Sequence, residues 1–208
     1  MLHWKTDTIA PRAPPFPALL EPRSVAEGHP GFGIVSLMSG SRDFPPNAEI
    51  FSQYEEVSNV YSVVSGAVRF AKMMKDGRRQ IGAFYFPGDF FGLESEERHS
   101  FSAEAIINSR VRVTKRTAFL KTVMGDQACA HEIWSETAAH LQRAQWHMSV
   151  LGRKNARERI AAFLLDMDAK LNSQGSIDLP MPRRDIADYL VIVRRKPPET
   201  AGNCSSAG

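Results

Sequence analysis

The sequence predicts an α+β protein: an antiparallel β-roll, then a long helix, then a helical C-terminal segment. Three observations carry this. Between Asp43 and Thr117, short β-branched and aromatic runs alternate with Gly, Pro and Asp turns at regular spacing, the signature of antiparallel rolls and barrels. From about Thr117 the apolar period changes from that of a strand to that of a helix. The stretch from Cys129 to Gly152 has no Pro, and no Gly before its last residue.

Each element has its own signal. Residues 1–30 are Pro-rich with little periodicity and read as a disordered arm. A short helix is expected around Phe32 to Met38. Pro45-Pro46-Asn47 marks a turn before the strand Glu49-Ile50-Phe51. Val60 to Gly66 is a β-branched run closed by Gly, and Ala67 to Met73 alternates apolar and polar. Lys75-Asp76-Gly77 supplies the positive φ of a hairpin turn before a strand from Arg79 to Phe86. Pro87-Gly88-Asp89 turns the chain into Phe90-Phe91-Gly92. Two further strands are expected at Phe101 to Ile107 and Arg110 to Lys115. The roll domain is thus assigned to 31–126.

The long helix, assigned to 127–152, places Trp134, Ala138, Leu141, Gln145 and Met148 at spacings of four, three, four and three. That is a coiled-coil seam with one polar member, and it predicts a homodimer. The same pattern also suits a helix packed on its own domain. A further helix runs from Asn155 to Leu171, with Ile160, Ala161, Phe163, Leu164 and Met167 expected inward, and Asn172 to Gly175 ends it.

Residues 153–208 read as a partial helix-turn-helix. Leu179 to Leu190 has the form of its lead-in and first helix, with Pro182 suited to the first helical position. Ile186, Ala187 and Leu190 are spaced to face a core, and Arg183, Arg184, Asp185 and Asp188 to face outward. A DNA-reading motif then needs a turn and a recognition helix. Val191 to Gly208 instead carries Pro197 and Pro198 and ends in small polar residues. Arg183 and Arg184 are expected to contact phosphate, as Arg side chains at a helix start can. Arg194, Arg195 and Lys196 form a basic cluster, either a nonspecific phosphate grip or a solvated tail.

Composition bounds the rest. A chain of 208 residues with 43% apolar content can build one large or two small cores. The net charge of +3 is compatible with nucleic acid without pointing to it. Two cysteines, Cys129 and Cys204, make no C-x-x-C pair, so a reduced cytoplasmic setting is expected. No apolar run is long enough to span a bilayer, and Pro11, Pro14, Pro15 and Pro17 interrupt any signal-peptide core. The six histidines include no i,i+4 histidine pair, and no nearby carboxylate or Cys set is read as completing a metal site. Cys129 reads as a buried structural thiol, with a helix-start thiol of lowered pKa as the rival reading. G-x-S-x-G, P-loop and H-E-x-x-H motifs are absent, which points away from an enzyme.

Lys75-Asp-Gly-Arg-Arg-Gln-Ile81, Pro87-Gly-Asp-Phe-Phe-Gly92, Phe101-Ser-Ala-Glu-Ala105, Leu151-Gly-Arg153, Ile160 to Leu165 and Leu179 to Leu190 occur in a characteristic order. By these motifs the chain resembles the CRP/FNR superfamily of bacterial transcription regulators, and its FixK-like branch most. The resemblance implies a cupin-like, cyclic-nucleotide-binding-like roll, a dimerisation helix and a C-terminal winged helix. It implies a homodimer that binds palindromic promoter sites and contacts RNA polymerase. FixK-like members activate genes of nitrogen fixation and low-oxygen respiration.

Three departures refine that expectation. Cyclic-nucleotide binders of the superfamily set an Arg-Ser pair against the phosphate, and here that position reads Phe101-Ser102. Phe offers a phosphate neither cation nor N–H, so no nucleotide effector is expected. Iron–sulfur members carry an N-terminal Cys cluster, whereas residues 1–128 hold no Cys, so no cofactor is expected. Where the family continues with Gly-Leu-Thr and a helix beginning Glu-Thr-Val-Ser-Arg, this chain has Val191 and an unrelated tail. A weakened reading of DNA sequence follows, with a dimerising sensor or interaction protein as the alternative.

Overall fold

The computed structural model describes residues 38, 40–171 and 177–192. Within them are eight strands and four helices. The strands are β1 (Gly40–Phe44), β2 (Glu49–Phe51), β3 (Asn59–Ser65), β4 (Val68–Met73), β5 (Arg79–Tyr85), β6 (Phe90–Phe91), β7 (Ser102–Ala105) and β8 (Ser109–Lys115). They form two antiparallel sheets, ordered β1-β8-β3-β6 and β2-β7-β4-β5. This is the expected roll, with β1 starting at Gly40, earlier than the turn signals indicate. Phe101 precedes β7 rather than opening it. Of the helix expected at Phe32 to Met38, only Met38 lies among the described residues, and it is buried outside any helix.

The two sheets close on rings. Phe51, Tyr61, Phe70, Tyr85 and Phe91 fill the space between them, with centroids 4.6 to 6.2 Å apart in tilted, stacked and edge-on pairs. Such pairs add about 0.5–1.5 kcal/mol each beyond the area they bury. The β4–β5 hairpin carries a bulge, because Phe70 faces Ala83 while Ala71 faces Ile81. Gly82 is the extra residue. A Cβ there would stand 2.7 Å from the Phe101 ring, so Phe101 lies on the space that glycine leaves open.

Four helices follow: α1 (Arg116–Gly125), α2 (Gln127–Arg153), α3 (Ala156–Leu171) and α4 (Arg183–Tyr189). Asp126 caps α2 by accepting from the amides of Ala128 and Cys129. Asn155 caps α3: its side chain accepts from Arg157 and Glu158 amides, and Glu158 accepts in return from the Asn155 amide at 2.9 Å.

The C-terminal elements share a core with the roll. Ala71 of β4, Ile81 and Phe84 of β5, and Phe86 beyond it cluster with Phe163 and Met167 of α3, Met181 and Leu190. Only one row of α3 points in. Phe163 and Met167, four apart, are buried, while Ile160 and Leu164 are 42% and 38% exposed and Ala161 is exposed as well. The broader inward face expected from periodicity is therefore too wide. A short helix laid on a sheet buries one i,i+4 row and leaves its flanks in water.

Candidate nucleic-acid interface

Pro182 stands at the N-cap of α4, one place before the helical position expected of it, with its ring setting φ at −69°. Arg183 and Arg184 are exposed, as phosphate contacts must be, and neither makes an ion pair among the described residues. Arg194, Arg195 and Lys196 lie outside the described residues.

Asp185 and Asp188, expected outward, turn toward the roll. Asp185 is 1% exposed. One of its oxygens lies 2.6 Å from Arg69 Nη1 of β4, and the other accepts from Arg79 Nη2 of β5. Asp188 accepts from Arg79 Nε and Nη2 at 3.0 and 2.8 Å. Arg69 also donates from Nε to Glu104 at 2.8 Å and from Nη2 to Asn47 Oδ1 at 3.1 Å. A buried carboxylate persists only when fully paired, and this one has two guanidinium partners. Burial works against the Arg79 charge, yet the Asp188 and Asp185 carboxylates hold its pKa above the ordinary value.

The end of α4 is fixed as well. Arg159 of α3 donates to the carbonyls of Lys154, Leu190 and Leu151 at 2.9, 3.1 and 2.7 Å, tying three helix ends together. Tyr189 stacks on His147 of α2 with centroids 3.9 Å apart. Val191 has φ of +52°, the left-handed conformation a glycine adopts freely and a β-branched residue does not. Val191→Gly is therefore expected to raise stability by about 1–2 kcal/mol, the cost of a non-glycine residue in that conformation. An unchanged denaturation midpoint would contradict it.

The long helix has two working faces. Trp134, Leu141 and Met148 are 72%, 58% and 62% exposed. Ala138 is half-buried and Gln145 exposed. Cys129, Glu136, Ala139 and Val150 are buried, with Ile133 packed beside Cys129. At about 100° per residue, the row 129–136–140–147 lies about 120° around the helix from the row 134–141–148. The helix packs on its own roll with one face and leaves Trp134, Leu141 and Met148 in solvent.

At the phosphate-pair position, Phe101 is half-buried. It stacks on Phe70 at 6.2 Å, with Lys72 Nζ 5.4 Å above it. Ser102 Oγ is engaged by the Gln53 amide at 2.8 Å. Cys129 is buried, and burial with the neighbouring Asp126 pushes its thiol up, as for a structural cysteine.

His140 and His147 line the inner face of α2 rather than its surface. His140 stacks on Tyr85 at 5.6 Å. Glu136 stands one turn before His140, and Asp89 of the Pro-Gly-Asp turn meets both. Two carboxylates thus stand beside His140, a grouping that the sequence did not disclose. The i,i+4 spacing of Glu136 and His140 was visible in the sequence; the third member came from a turn far away along the chain.

Residues 41–126 match the cyclic nucleotide-binding domain family. The chain is 43% identical over 162 residues to "Nitrogen fixation regulation protein FixK" of Azorhizobium caulinodans, covering 76% of this chain and 65% of that one. It is 38% identical to the protein of the same name in Rhizobium meliloti, covering 83% and 79%. A solved structure, "The Structure of FixK2 from Bradyrhizobium japonicum", superposes with a TM-score of 0.69 at 49% identity, over 73% of this chain and 77% of that one. The chain thus spans about two thirds of the length of the first of these relatives.

Proposed function

The chain belongs to the FixK-like branch of the CRP/FNR superfamily, and on that premise we propose that it is a cytoplasmic, dimeric, DNA-binding transcription regulator rather than an enzyme. Its genes would be those of nitrogen fixation or low-oxygen respiration, activated through contact with RNA polymerase. The supporting observation is the arrangement of α4. Arg183 and Arg184 are exposed on a helix whose next residue, Asp185, is anchored in the roll. Two cations on a rigid support are suited to phosphates, which position a protein on DNA. A salt titration of binding to a palindromic site, against random DNA of equal length, tests the reading. Absence of binding to either at low salt would overturn it.

The dimer rests on the exposed stripe of α2. Three large apolar side chains at heptad spacing are costly in water and suited to a second copy. Leu141→Asp is expected to give a monomer in sedimentation at tens of micromolar, roughly the scale of a moderate interface. A wild-type chain already monomeric there would contradict the proposal.

Phe101 argues for independence from cyclic nucleotides. A phosphate brought against its ring would lose hydration without gaining a charged partner. Calorimetry with cyclic AMP and cyclic GMP is expected to give no isotherm, and a saturable one for either would refute this.

A second reading has its own support. Val191 occupies a left-handed position where the family resemblance implies Gly, and the residues after it do not match the recognition sequence that resemblance implies. The chain would then act through protein contacts, drawing intact relatives into heterodimers that fail to read a promoter. Mixing it with such a relative and measuring loss of footprint distinguishes this from direct regulation.

A further inference from the structure

We propose that Asp89, Glu136 and His140 form a site for one divalent transition-metal ion of the zinc type, joining the roll to the dimerisation helix. One ligand atom from each lies within 4.8 Å of the other two. Glu136 is buried, and the other two are half-buried. His140 Nε2 is buried and makes no hydrogen bond, standing 4.0 Å from Glu136 Oε1. That separation is too long for a hydrogen bond. Two ligands of a tetrahedral ion stand about 3.4 Å apart when each bond is about 2.0–2.2 Å, so the two side chains need close by only roughly half an ångström.

The donors are held in place. The Asp89 carboxylate accepts from the Phe86 amide at 2.9 Å through Oδ2. Its backbone carbonyl accepts from Val63 at 3.0 Å. The His140 ring lies on Tyr85, and Glu136 shares the same face of a capped helix. Burial first, then the positive charge of Arg143 and Lys170, push the imidazole down to about 4. His140 Nε2, buried and without a hydrogen bond, is free to direct its lone pair at an ion. The positive charge of Arg143 and Lys170 near His140 disfavours a cation there, so affinity weaker than that of a structural zinc site is expected. One imidazole with two carboxylates favours a borderline ion over Mg2+, which prefers oxygen ligands and retained water. Three protein ligands leave a coordination position open to water.

Occupancy would link the Pro-Gly-Asp turn of the roll to the middle of α2, on a different face from Trp134, Leu141 and Met148. This site stands independently of the DNA-binding reading, and its test involves no DNA. The metal-stripped full chain, with Cys204→Ser in every sample, is titrated with Zn2+ and separately with Mg2+ by calorimetry. One equivalent of Zn2+ per chain is expected, with no comparable Mg2+ isotherm. His140→Ala and Asp89→Asn should each weaken Zn2+ at least about tenfold, the scale on which even outer-shell changes act. His131→Ala, an exposed histidine of the same helix, should leave it unchanged. Each variant is first melted. If His140→Ala lacks a cooperative transition, the decision rests on Asp89→Asn, whose amide oxygen can still accept from Phe86. Wild-type chain that binds no Zn2+ up to millimolar, or a folded variant at either position that binds as wild type does, overturns the site.

Discussion

Asp185→Ala should cost about 3–5 kcal/mol of unfolding free energy, the range for removing one partner from a buried ion pair. The argument is one of stranded charge. Arg69 and Arg79 have side chains only 8% and 18% exposed, and both point at the Asp185 carboxylate. Without it, Arg69 keeps Glu104 and Asn47, and Arg79 keeps Asp188 alone. Two guanidinium groups would then be held out of water with incomplete partners. The comparison is Asp43→Ala, which removes an equally short contact to Arg110 at 2.7 Å in full solvent. Exposed pairs of this kind contribute little, so its midpoint should barely move. Denaturant unfolding of the two variants, with slopes compared, decides the matter. A loss below about 1 kcal/mol for Asp185→Ala would place it among ordinary surface pairs and show that α4 is not anchored by charge.

That anchor also shows where sequence reasoning stops. Strand alternation, the Asp76-Gly77 turn and the long Pro-free helix are local signals, each contained within one continuous segment of chain. The roll and α2 were legible for that reason. The Asp185–Arg69 contact joins residues 116 positions apart, and no periodicity carries that information. Helical spacing put Asp185 on the solvent side because a carboxylate is usually there. Two strand arginines facing it reversed the outcome. The site at Asp89 divides the same way: Glu136 and His140 share a helix face by spacing alone, but only the tertiary fold sets a turn of the roll beside them. Val191 is a third kind of case. The family resemblance implies a Gly where Val191 stands, and the positive φ that makes a β-branched residue costly there is visible only in the backbone.

Weak and strongly salt-dependent DNA binding, with little preference for a palindromic site, is the second large effect expected. Base edges are read by hydrogen bonds from a recognition helix, each good bidentate pair giving about 1–3 kcal/mol of discrimination. Phosphate contacts give affinity but carry no sequence information. On the proposed reading, Arg183 and Arg184 of α4, and Arg194, Arg195 and Lys196 later in the sequence, would meet phosphates. Each phosphate contact removed should lower the slope of log affinity against log salt by about 0.9. Arg183→Ala with Arg184→Ala should therefore flatten it by roughly two. Replacing the residues after Leu190 with a family segment, Gly-Leu-Thr through Glu-Thr-Val-Ser-Arg and a wing, should create a preference of at least about a thousandfold for the palindrome, the low end for specific regulators. The gain has two sources: a glycine where the backbone has positive φ, and a helix free to enter the groove from the α4 anchor. Footprinting of the unaltered chain at physiological salt is the direct check. Protection of a palindromic site by residues 1–208 as they stand would mean that the tail itself reads bases, and the assignment of Arg194, Arg195 and Lys196 to phosphates alone would fall.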